Sequence, residues 1–110
     1  MATTPRMTQI EAMLADDPDD AFLRYGLAME HASAGDDAAG VAVLRDLIAR
    51  SAAAPYVPAY LQAGQALVRL DKIAEACAVL RDGITAAATV GTPDALHASG
   101  EMQGLLASIE

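Results

Sequence analysis

The sequence predicts an all-α protein built as a short stack of antiparallel helix pairs. Three observations carry this. First, glycine-centred segments recur: Phe22-x2-Tyr25-Gly26-x2-Met29, Tyr60-x2-Ala63-Gly64-x2-Leu67 and Leu96-x2-Ser99-Gly100-x2-Gln103. Their glycines are 38 and 36 residues apart, a period that signals stacked helix pairs. Second, alanine makes up about a quarter of the chain and aromatics only 4%, which favours helix packed through small side chains. Third, no stretch of Val, Ile, Thr and aromatics alternates as a strand would.

Six helices follow in order. The first spans about Thr8–Ala15, with Ile10, Met13 and Leu14 apolar, and reads as half a repeat capping the N-terminal end. The second spans about Asp19–Ala34. The run Asp16, Asp17, Asp19, Asp20 suits its start, since Asp caps free amides and meets the positive end of the dipole. Gly35-Asp36 breaks the chain, and the third helix runs about Asp37–Ser51. Ala53 to Pro58 is a linker, because residues before Pro55 and Pro58 are pushed out of helix. The fourth helix spans Pro58–Leu70, with Tyr60, Gly64, Leu67 and Leu70 at helical spacing. The fifth spans Ile73–Val90 and ends at Gly91. Thr92-Pro93 then reads as N-cap and first helical position of a sixth helix ending near Ser108. A mid-helix glycine costs about 1 kcal/mol against alanine, so Gly64 implies a close helix crossing, placed against Ala76.

The second copy resembles the tetratricopeptide repeat, whose pattern is an aromatic, Leu-Gly, Tyr, then Ala-x3-Phe. Tyr60 matches the aromatic, Ala63-Gly64 the Leu-Gly, Leu67 the Tyr, and Ala76 and Leu80 the second-helix pair; Gly83 fills a further small-residue site. In the first copy Phe22, Gly26 and Met29 fit the first helix, and Gly40 and Leu44 the second. Glu30 to Ala34 then holds two extra residues before the turn. The third copy matches in its first helix only. The resemblance covers roughly residues 18 to 108. It implies a right-handed tetratricopeptide-like α-solenoid in a single domain. Residues 1–7 are expected to form a flexible N-terminus and 8–18 a capping helix. Repeats at 19–54 and 55–91 follow, with a C-terminal capping helix at 92–110.

Charge and composition exclude several classes. The net charge is −8, and the seven basic residues, Arg6, Arg24, Arg45, Arg50, Arg69, Lys72 and Arg81, are scattered. Nucleic acid, which demands clustered Lys and Arg, is not expected as a partner, nor is an anionic membrane. No segment offers about 20 apolar residues for a membrane span. Met1 to Thr8 has no apolar run of signal-peptide type, so a cytoplasmic setting is expected. Cys77 is the only cysteine, which rules out a disulfide within the chain; it reads as a small apolar packing residue.

Catalysis is not expected. The chain has no phosphate loop with Lys-Ser/Thr, no Gly-x-Ser-x-Gly and no HExxH, and no cofactor is anticipated. His97 and Glu101 share one helix face, but two ligands fall short of the three or four a zinc site takes. The acidic run lacks the spacing of a calcium loop, so no metal is expected.

The family resemblance implies binding of a peptide or partner helix in a concave groove lined by the first helix of each pair. Carried over by position, Leu23, Arg24, Leu27 and His31 come from the first copy. Leu61, Gln62, Gln65, Val68 and Arg69 come from the second, and His97 and Glu101 from the last helix. The carboxylate clamp of some family members is not expected, because Leu23, Leu27, Leu61 and Gln65 stand at most of its sites. Leu23, Leu27, Leu61 and Val68 are expected to form a partly exposed apolar strip flanked by Arg24, Arg69 and Glu101. Its ligand would be a helix or extended peptide of some basic character. A homodimer, with groove or end face filled by a second copy, is the alternative.

Overall fold

A computed structural model describes residues 3–110. Among them there are six helices and no strand: α1 Pro5–Asp16, α2 Ala21–Ser33, α3 Asp37–Arg50, α4 Val57–Arg69, α5 Ile73–Val90 and α6 Pro93–Ile109. Each helix packs on its neighbour in sequence, and α4 also touches α6. The first helix begins three residues before the expected Thr8. Thr4 accepts a hydrogen bond from the Met7 amide at 3.1 Å, and Pro5 opens the helix, as Thr92 and Pro93 do for α6. Met7 is 1% exposed. The flexible segment expected over 1–7 therefore does not extend over 5–7, and residues 1 and 2 lie outside the described part.

The repeat has one strict period. The N-caps of α2, α4 and α6 are Asp20, Tyr56 and Thr92, each 36 residues after the one before. The N-caps of α3 and α5, Asp36 and Lys72, are also 36 apart. The turns inside the two complete pairs share their backbone hydrogen bonds at that same offset. The Asp36 amide donates to the His31 carbonyl, and the Lys72 amide to the Leu67 carbonyl; Gly35 to Ala32 is matched by Asp71 to Val68. Gly35 and Asp71 both take the left-handed conformation this turn needs, at φ 80° and 60°.

This register corrects the first copy. No two-residue insertion lies between Glu30 and Ala34, and the residue equivalent to Gly64 is Ala28, not Gly26. Ala28 is fully buried, and an added Cβ on Gly40 would lie 3.3 Å from its carbonyl oxygen. A Cβ on Gly26 would meet only Ile10 Cδ1, at 3.8 Å. Gly64 does stand at a close crossing. The nearest atoms to it are those of the Leu80 side chain, whose Cγ would lie 2.7 Å from an added Cβ. Gly83 is as tight, with Tyr60 Cβ and Met102 Sδ each 2.5 Å from such a Cβ. Gly100 has open space beside it among the described residues.

One continuous core runs through Ala28, Val41, Leu44 and Leu47 into α4, α5 and α6, ending at Met102 and Leu106. Cys77 is buried and unpaired, as read. The buried residues of α1, Met7 and Ile10, lie outside that continuous cluster.

Candidate protein-binding surface

The first helices of the three units, α2, α4 and α6, present side chains in parallel register. In α4 the groove residues expected from sequence divide. Gln62, Gln65 and Val68 are half-buried and Arg69 is exposed, while Leu61 is buried within the core. Arg69 clamps Asp37 at the start of α3 with two hydrogen bonds, of 3.0 and 2.9 Å. That bonding holds the Asp37 carboxyl below its ordinary range.

The first-copy residues fall elsewhere. Leu23 and Leu27 lie 36 residues before Ala59 and Ala63, which are fully buried, and so share that helix face rather than the face of Leu61 and Val68. Arg24 stands 36 residues before Tyr60. Its guanidinium donates to Asp46 on α3 and to the Pro18 carbonyl, both at 2.7 Å, and it serves as a strut inside the pair. His31 stands 36 residues before buried Leu67, and its Cβ would lie 3.9 Å from a Cβ on Gly40 of α3. The strip of Leu23, Leu27, Leu61 and Val68 therefore does not assemble. Tyr25, Met29 and Ala32 take the positions that correspond to Leu61, Gln65 and Val68. On α6, His97 and Glu101 are exposed and paired with each other at 3.2 Å. No group of three metal-ligating side chains occurs among the described residues.

The sequence reading missed an aromatic cluster beside this face. The Tyr25 and Tyr56 rings meet with centroids 5.3 Å apart and planes tilted by 45°. Burial, then the neighbouring Tyr56, raises the Tyr25 phenol above its ordinary pKa, against a hydrogen bond with Gln62. Burial, then the Asp20 charge, does the same for Tyr56. Both stay neutral near pH 7. Phe22, one turn before Tyr25, is 73% exposed. Tyr56 also lines an apolar pocket of about 260 Å³ with Pro55, Val57, Pro58, Val90 and Asp94. A second cleft, about 380 Å³, opens between α3 and α5 over Tyr60; the Arg45–Glu75 ion pair, at 2.9 Å, joins two of the residues that line it.

A solution NMR structure of a tetratricopeptide repeat domain protein from Salinibacter ruber superimposes on this chain with a TM-score of 0.74. The two are 29% identical, and the match covers 84% of this chain and 89% of that one. The fold is that of a tetratricopeptide repeat domain. No family model matches the sequence, and no curated protein does. As a tetratricopeptide-like domain, the chain is of a class that holds other proteins. Among the described residues, no helix is long and apolar enough to cross a membrane.

Proposed function

We propose that this chain is a non-catalytic interaction module that seats a peptide or partner helix along the face shared by α2, α4 and α6. The observation that carries the reading is the half-buried surface of Gln62, Gln65 and Val68 on α4, with Met29 of α2 and Glu101 of α6 at the positions equivalent to Gln65. Val68 supplies apolar surface and the two glutamine amides offer groups to fix a ligand backbone, on a tetratricopeptide-like fold. A protein ligand fits the net charge of −8, which disfavours nucleic acid. The cytoplasm is the compartment in which we place it. The test is affinity capture from native cells with wild-type chain and with a Gln65→Arg, Val68→Glu double variant. A partner held by the first and lost by the second, at equal helix content, supports the groove; equal capture by both removes it.

Self-assembly has its own supporting observation. Leu96 and Gly100 stand 36 residues after Tyr60 and Gly64, which pack on α5, yet Leu96 is 54% exposed and Gly100 faces open space. A helix of a second copy would find there the seat that α5 takes on α4. Light scattering of wild type against Leu96→Glu decides this: a dimer abolished by the charge supports it, and a monomer in both cases rejects it.

A further inference from the structure

From the placement of its few aromatic residues, we infer that the chain holds a cationic peptide at the N-terminal ends of α2, α4 and α6, with one apolar side chain of the ligand anchored in the pocket beside Val90. The inference rests on the partner-binding reading and moves the anchor from the middle of the groove to its edge.

Four aromatic residues occur in the chain, one Phe and three Tyr. Two of them, Tyr25 and Tyr56, meet at this edge, and Phe22, one turn before Tyr25 on α2, is the most exposed large apolar side chain among the described residues. Aromatic side chains are over-represented where proteins bind one another. The lane continues from Tyr56 into the pocket formed by Pro55, Val57, Pro58 and Val90. At about 260 Å³ it lies below the roughly 300–1,000 Å³ of small-molecule sites, and suits a single side chain.

Charge selects the occupant. All six arginines have a carboxylate within 4.0 Å among the described residues. Asp20 and Asp94, which flank the lane, pair with no Lys or Arg there. Asp20 accepts only the Leu23 amide, at 3.0 Å. The helix N-termini oppose a cation with about half a positive charge each. Three such ends sum to less than the two carboxylates, and the molecule around them carries −8. A Lys or Arg side chain would lie over the Tyr or Phe rings, which attract cations through their faces, with Asp20 and Asp94 at either end.

The probe is a short synthetic peptide with one leucine between two lysines, added to isotope-labelled protein and followed by heteronuclear NMR. The expected result is a set of shifts at Tyr25, Val57, Val90 and Ala95 that weakens with added salt. Asp94→Lys, which reverses a flanking charge, is expected to weaken binding about tenfold. Phe22→Ser, at an exposed site that leaves the fold intact, is expected to weaken it as well. Replacing the lysines by glutamates, or the leucine by serine, is expected to abolish the shifts. Shifts confined to Gln65, Val68 and Glu101 overturn the edge site and leave the groove reading standing. Equal binding of the glutamate peptide, or no shift anywhere, overturns the inference, and the groove is then judged by its own capture experiment.

Discussion

At the residue scale the glycines separate into those that must be glycine and those that need not be. Gly64 and Gly83 face Leu80 Cγ and Tyr60 Cβ at distances no real Cβ tolerates, 2.7 and 2.5 Å. Alanine at either forces core atoms to move, and overpacking costs about 1–3 kcal/mol. Gly83→Ala is expected to be the worse, because Tyr60 Cβ is fixed to its backbone while the Leu80 side chain can turn. Gly26 and Gly100 have room for a methyl group. There the helix propensity of alanine is gained without a clash, so Gly26→Ala and Gly100→Ala should each raise stability by about 1 kcal/mol. Urea denaturation midpoints of the four variants check both directions; a loss of stability at Gly26 would show a crossing there after all. The sequence alone marks all four as mid-helix glycines at or near motif positions. It does not tell them apart, because the neighbour that makes a glycine necessary belongs to another helix. In the first repeat that necessity falls instead on Gly40, packed over the backbone of Ala28.

At the element scale the helices were legible and the register between them was not. Pro, Gly and Asp punctuation placed the six helices to within a few residues, and the largest error came at α1. There Thr4-Pro5 carries the same cap signal as Thr92-Pro93. The register of α2 rests on a turn whose shared feature is a left-handed backbone, filled by Gly35 in one repeat and by Asp71 in the other. Residue identity hides that equivalence. A two-residue slip rotates a helix face by about 200°, enough to exchange Tyr25 for Leu23 in the candidate site. The slip does not reach α6, where His97 and Glu101 stand 36 residues after Leu61 and Gln65. The same comparison of turns exposes a missing cap. Asp36 accepts the Ala39 amide at 3.1 Å, whereas Lys72, its counterpart, makes no side-chain cap bond. Lys72→Ser should supply one and raise stability by about 0.5–1 kcal/mol. Gly35→Ala should lower it by about 1–2 kcal/mol, the cost of a side chain in the left-handed region. Thermal melts of both variants test the turn, and an unchanged melt for Gly35→Ala would show that it can adopt another conformation.

At the scale of the whole molecule, stability is expected to be graded along the stack. In a repeat architecture each unit is held mainly by its neighbours, so end helices, packed on one side only, open most readily. The two ends are not equal here. The last helix, α6, enters the continuous core through Ala95, Met102 and Leu106 and lies against both α4 and α5. The first, α1, packs on α2 and buries Met7 and Ile10 outside that core. Its ion pair to the neighbour, exposed Arg6 with half-buried Glu30 at 3.4 Å, lies at the surface, and such pairs contribute only about 0–1 kcal/mol. The centre is different: α4 and α5 supply Tyr60, Leu67, Ala76 and Leu80, all buried, with helices packed on either side. Native-state hydrogen exchange should therefore show amides of α1 opening at a free energy well below the global value. Those of α6 should open at an intermediate one, and those of α4 and α5 only with global unfolding. A Met7→Ala variant sharpens the test. It should lower the opening free energy of α1 alone and leave the α5 amides unchanged, since loss of an end helix does not uncover the central core. If instead α1 and α5 exchange together and shift together in that variant, the stack unfolds as one unit, and α1 is part of the same cooperative core.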